Sequence, residues 1–276
     1  MNLRHTLRLS LPKALFRAVV VSAATAVSFA QQPQAVPVHK VQGTGHAFML
    51  IRAENGAVLG YGEILQLVHG DRVISRLTYH FRDGSIDDDS TVFSQRTVFH
   101  LIRDHHVQHG PFFSKATDCL VEENGSVTIR TVDKDGKVKV ETSHIDLPPN
   151  VSNGVAGAML LNAAPRSGPF KLGFVAPTGK GRLIQLSITI AGEQPFSPVL
   201  GVRRKAAVFQ IHAELGGIAG VVAPVIGKQP KDLFVWILEG EVPGLVREIG
   251  PLEAGGQVVS VEPAGASYPT AAQVTK

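Results

Sequence analysis

The stretch RVISRLTYHF, residues 72–81, decides the fold class, because Val73, Leu77, Tyr79 and Phe81 fall on one face of an extended chain while Arg72, Arg76, Thr78 and His80 fall on the other. Successive side chains of a strand point to opposite faces, so this alternation describes a strand with one dry and one wet side. The pattern recurs further along. Ile184, Leu186, Ile188 and Ile190 oppose Gln185, Ser187 and Thr189, and the row Ala207, Phe209, Ile211, Ala213 and Leu215 opposes Gln210, His212 and Glu214. Antiparallel sheets solvated on one face produce such rows.

The punctuation between the runs is that of hairpins. Asn55-Gly56, Asn124-Gly125 and Asp135-Gly136 supply the residues that tight turns with positive φ demand, so the strands they join are antiparallel neighbours. About eleven strands are predicted, near 45–53, 57–69, 72–82, 90–103, 107–113, 116–123, 126–133, 137–146, 170–176, 182–191 and 203–215, with 232–239 and 256–262 as additions. Strands of this length in a meander twist and coil. The expected fold class is therefore mainly β: a long-stranded antiparallel curved sheet, as a half-barrel or a barrel, with one short helix. That helix is entered through Leu147-Pro148-Pro149-Asn150, with Asn150 or Ser152 as its cap. Val155, Met159, Leu160 and Ala163 recur at helical spacing before Pro165.

Around this body the sequence changes character. Arg4, Arg8, Lys13 and Arg17 precede the uncharged apolar run 18–30, which ends Ser28-Phe29-Ala30; this reads as a cleaved export signal with Gln31 as the mature N-terminus. The run is too short to span a bilayer. Residues 31–43 are expected to be a flexible linker, 44–262 a single β-rich domain and 263–276 a disordered tail. The chain holds 27 Lys and Arg against 23 Asp and Glu, and four of the basic residues and none of the acids lie in the leader, so the remainder carries 23 of each. That neutrality removes nucleic acid as an expected partner, and the basic pI of the whole chain, which belongs to the leader, is no evidence for an acidic lipid either. With Gln31, not Cys, after the apolar run, no lipid anchor is expected, and no integral membrane span after cleavage. An outer-membrane barrel needs aromatic girdles, whereas aromatics are 6% here. The expected location is the periplasm or the extracellular space.

Catalytic signatures are absent. There is no Gly-x-Ser-x-Gly elbow, and Thr178-Gly179-Lys180-Gly181 lacks the spacing of a phosphate loop. Cys119, the one cysteine, lies in a strand-like run beside acids and reads as a buried thiol with no nucleophilic role. No cofactor is expected. Two clusters of potential ligands stand out. His100, His105, His106 and His109 form the densest group, with His105, His106 and His109 as the candidate metal ligands of a metal-dependent hydrolase; Asp104-His105-His106 is predicted to form a hairpin tip. The second is the run 83–89 (DGSIDDD), whose carboxylates suit Ca²⁺ but lack EF-hand spacing and read as a solvated turn. The segment 216–230 (GGIAGVVAPVIGKQP) is apolar and glycine-rich without alternation, which reads first as a buried irregular connection or hairpin and second as a lid over an apolar cavity.

In strand rhythm and in the stretches FRDGSIDDDSTVFSQ, LPPNVSNG and ELGGIAGVVAP, residues 45–262 resemble bacterial secreted β-protein families of unknown function. They are similar, more loosely, to the half-barrels of lipoprotein carriers. The resemblance implies long strands wrapped around an apolar interior and a lipid-like or apolar small-molecule ligand. Met159 and Leu160 on the helix, with Ile218, Val221 and Val222, are the residues expected to line that ligand. A structural or protein-interaction module is the remaining alternative, and the oligomeric state is left open.

Overall fold

The computed structural model describes residues 33–163, 168–199, 202–215, 230–240 and 243–264. Residues 1–32, which include the stretch expected to be an export signal, residues 265–276, and Ile218, Val221 and Val222 lie outside the described residues. Among the described residues fourteen strands and one helix follow in chain order: β1 (Gly45–Ala53), β2 (Val58–His69), β3 (Arg72–Phe81), β4 (Ile86–Gln95), β5 (Phe99–His109), β6 (Ala116–Glu122), β7 (Ser126–Val132), β8 (Val138–His144), α1 (Ala156–Asn162), β9 (Phe170–Ala176), β10 (Arg182–Val199), β11 (Val202–Glu214), β12 (Leu233–Leu238), β13 (Gly244–Pro251) and β14 (Val258–Pro263). All the strands lie in one antiparallel sheet with the spatial order β8 to β1 and then β14 to β9, so that two meanders join where β1 pairs with β14. The sheet is curved, as the strand lengths predict, and it is unclosed, which decides for the half-barrel over the barrel.

Its two edges, β8 and β9, are not paired to each other. The connection between them fills the gap. Val151 bridges Gly173 in parallel, the Ser152 amide donates to the Gly173 carbonyl at 2.8 Å, and Ser143 Oγ donates to the Lys180 carbonyl. The side chains expected to cap α1 serve this join. Ser152 Oγ donates to Gly173 O at 2.8 Å and Asn150 Nδ2 to Lys171 O at 2.7 Å, while the helix starts after Val155 with no side-chain cap. Seven residues do not hold a helix alone. Burial of Val155, Met159 and Leu160 does so here, against Val73, Phe93, Phe99, Leu172, Ile188, Phe209 and Val235, each such side chain contributing roughly 1.5–3 kcal/mol.

Three sequence expectations need correction. Residues 86–89, expected as part of a solvated turn, open strand β4, because the Asp87 and Asp88 carboxylates are partnered across the sheet, and the predicted strand 90–103 is two strands broken at 96–98. Asp104-His105-His106 is consequently in the middle of β5 and not at a hairpin tip. The linker 31–43 is docked from residue 36 onward: Phe99 N donates to Val36 O and Val38 N to Thr97 O, both at 2.9 Å, and Val36 and Val38 pack on the core. Polar composition hid those two valines. Asn162 completes the docking, with Oδ1 accepting from the His39 and Lys40 amides at 2.8 and 2.6 Å and Nδ2 donating to Lys40 O at 3.1 Å. The third is β13, absent from the predicted set. A bulge opposite Trp236 and Ile237 puts Leu245 inward, Val246 and Arg247 outward and Glu248 inward, which breaks the period of two.

Candidate functional site

The register aligns the inward side chains of neighbouring strands into rows. One row holds Gly62, Tyr79, Asp87, Gln108 and Thr117, and another Ser75, Thr91, Asp104 and Val121; all are buried. Between them runs the row Ala47, Ile64, Leu77, Asp89, His106 and Cys119. Ala47 is exposed, the next four are half-buried and Cys119 is buried. A half-open row flanked by buried ones is a groove. It begins at the first residues of β1, outside the Met49–Ala53 stretch that pairs with β14, and ends against Cys119. From β1 to β5 it spans about 19 Å, at about 4.8 Å per strand. Its wall is apolar at Ile64 and Leu77 and polar at Asp89 and His106.

The polar end is a network from β4, β5 and β13. His106 Nε2 lies 2.7 Å from Asp87 Oδ1, and Gln108 Nε2 donates to Asp87 Oδ2 at 2.9 Å and to the Leu252 carbonyl at 3.0 Å. Thr91 Oγ1 lies 3.0 Å from both Asp89 Oδ1 and Asp104 Oδ1. A hydroxyl has one proton to give, so one of these contacts needs a proton on the carboxyl side. Asp104 supplies it: burial, followed by the charge of Asp89 and a hydrogen bond with it, raises Asp104 well above the carboxylate range. Gly154, at φ +59°, presses on this pair from the connection, and a Cβ there would collide with Thr91 Oγ1 and Asp104 Oδ1.

The electrostatics follow from depth. Burial alone would lower the His106 imidazolium, but the Asp87 hydrogen bond and the charges of Asp87, Asp89 and Asp104 outweigh it and raise it to about 9. The same ring keeps 27% of its side-chain surface open, so it faces the groove, not packed neighbours. Glu248 reaches the same region from β13. Burial first, and Asp87 second, push its carboxyl up to about 7, with no hydrogen bond to offset them. Near neutrality it both donates and accepts. Cys119 closes the groove as an inert wall, since burial and then Asp104, Asp118 and Asp89 push its thiol up to about 12.

The expected metal site does not assemble. His106 points inward, while His105 and His109 point outward with His100: His105 pairs with Asp118 at 2.9 Å and His100 lies 3.6 Å from Glu123. Alternation along β5 separates adjacent histidines by the thickness of the sheet. Among the described residues no three His, Cys, Asp or Glu side chains are grouped to hold a metal ion. The run 83–89 is split by the same rule, with Asp88 outward on Arg76 at 2.9 Å and Asp87 and Asp89 inward. Met159 and Leu160 are fully packed in the core beside the groove and do not line it.

Asp104, Thr91, Gln108 and Glu248 had no signal of their own in the sequence. The one available clue was negative: along 87–91 the inward positions of an otherwise regular strand are Asp, Asp and Thr. A shallow depression on the outer face, walled by Val208, Phe234 and Trp236, is already served by its neighbours. Trp236 Nε1 donates to Gln194 at 2.9 Å and the Arg247 guanidinium covers the ring at 5.8 Å. Among the described residues no helix is long and apolar enough to cross a membrane. No family model matches this chain, and neither a curated protein nor a solved structure does.

Proposed function

We propose that this chain is a non-enzymatic binding protein of the cell envelope that carries a lipid-like ligand in the inner groove of its sheet. The half-open row from Ala47 to His106 carries this reading, because it offers an elongated track with an apolar stretch and a polar terminus inside an otherwise packed interior. The apolar part of the ligand lies along Ile64 and Leu77. Its head, bearing hydroxyl or amine donors, meets Asp89, His106 and Glu248. A wholly apolar ligand fits less well, since it would strip water from these groups and return no hydrogen bond.

Native mass spectrometry of protein purified without organic solvent tests the proposal. The wild type is expected to carry a co-purified amphiphile, and Leu77→Trp, which fills the track, to lose it. A wild type free of any adduct that also fails to take up a fluorescent long-chain amine would overturn it.

A further inference from the structure

The outer face of β1 to β3 departs from the pattern of a solvated sheet face. Phe48, Tyr61, Leu65, Leu67 and Ile74 all point outward there and are 39–55% exposed. They are contiguous by register. Phe48 pairs with Glu63, Tyr61 and Leu65 stand two residues to either side of Glu63, and Leu67 pairs with Ile74. Exposed apolar side chains scattered singly are ordinary, whereas five in one patch mark a contact surface.

The charges on the same face are one-sided. Arg76 pairs across the strands with Leu65, Arg72 stands two residues before Ile74 on the same outward face, Arg52 lies along β1, and Arg82 reaches the Tyr61 hydroxyl at 3.5 Å. The two carboxylates within the patch are already engaged: Glu63 with His46 at 2.6 Å, and Asp88 with Arg76 at 2.9 Å. Among the described residues Arg52, Arg72 and Arg82 meet no carboxylate. An apolar strip bordered by unmatched guanidinium groups is complementary to a surface that presents anionic phosphates over hydrocarbon. We propose that this face docks peripherally on an anionic phospholipid bilayer, with Phe48, Tyr61 and the aliphatic side chains in the headgroup boundary and the arginines on phosphates.

Co-sedimentation of the full chain with vesicles tests this, using phosphatidylglycerol mixed into phosphatidylcholine against phosphatidylcholine alone. Three proteins are compared: wild type, Phe48→Ser/Leu65→Ser and Arg72→Glu/Arg82→Glu. The leader is common to all three, so the differences between them report on this face. The wild type is expected to bind the anionic vesicles and to be released by salt. Each double variant is expected to bind about tenfold more weakly. Equal binding by all three proteins, or no preference for the anionic vesicles, overturns the proposal. So does a stable dimer in analytical ultracentrifugation that dissociates on Phe48→Ser/Leu65→Ser, since the patch would then be covered by a second copy.

Discussion

His106 holds a proton in the folded protein well above the pH at which the unfolded chain gives it up, 6.5 against about 9. Between those values the folded state binds one proton more than the unfolded state, so stability is fully present below about pH 6.5 and is lost as the pH rises through about 9. The loss is on the order of 3 kcal/mol. Urea denaturation at pH 7 and pH 9 measures it: the wild type should lose most of that amount, and His106→Gln, without the titrating ring, almost none. Glu248 acts in the same direction over a lower window, since its carboxyl is raised from 4.5 to about 7, and its contribution is lost as the pH rises between those values. The imidazole was legible in the sequence as a group of interest, though for metal binding. Its setting was not. Asp87, Asp104 and Glu248 come from β4, β5 and β13, and only the register brings them to one place.

At the scale of elements, the strands with intact alternation were legible to within a residue or two. β3 shows this, and so does the start of β10, though that strand runs on past the expected end at 191 to Val199, beyond the irregularity at Gly192. The failures have local causes. Acids on inward positions disguised the start of β4, residues 86–89, as a turn, and a bulge hid β13. The docked segment 33–42 could not be read from its own composition, because half of what fixes it is a side chain on α1. Asn162 makes four hydrogen bonds through one amide group, the last of them to the Ala158 carbonyl at 2.9 Å. Asn162→Ala is expected to cost about 1–3 kcal/mol. The local effect should exceed the global one: hydrogen exchange at the His39 and Lys40 amides should accelerate far more than exchange in β3 or β11. Equal acceleration everywhere would mean that the segment is held by Val36 and Val38 alone.

For the molecule as a whole, the sheet is two meanders of adjacent strands, and such a sheet invites the expectation that each half melts by itself. The core argues otherwise. A single cluster contains Val73, Phe93 and Phe99 from the first meander and Leu172, Ile188, Phe209 and Val235 from the second, with α1 between them. One probe lies in each half: Trp236, the only tryptophan, on β12, and Cys119, the only cysteine, on β6. Loss of native tryptophan fluorescence and exposure of the thiol to an alkylating reagent should follow one denaturant transition. Separated midpoints would show that the shared core does not couple the halves. Curvature and strand direction were legible at this scale from turn chemistry and length. The β1–β14 pairing was not, because it joins residues about two hundred positions apart with no local mark.

That pairing sets a timetable for synthesis. β1 can meet β2 as soon as the first hairpin turn is made, yet its other edge has no partner until β14 emerges. At the usual pace of translation this delay is roughly 10–40 s. Through that interval the nascent chain presents a bare row of amides and carbonyls beside Phe48 and Ile51, a template for any passing strand. A cell making this protein in quantity must shield one edge of one strand until the last strand arrives.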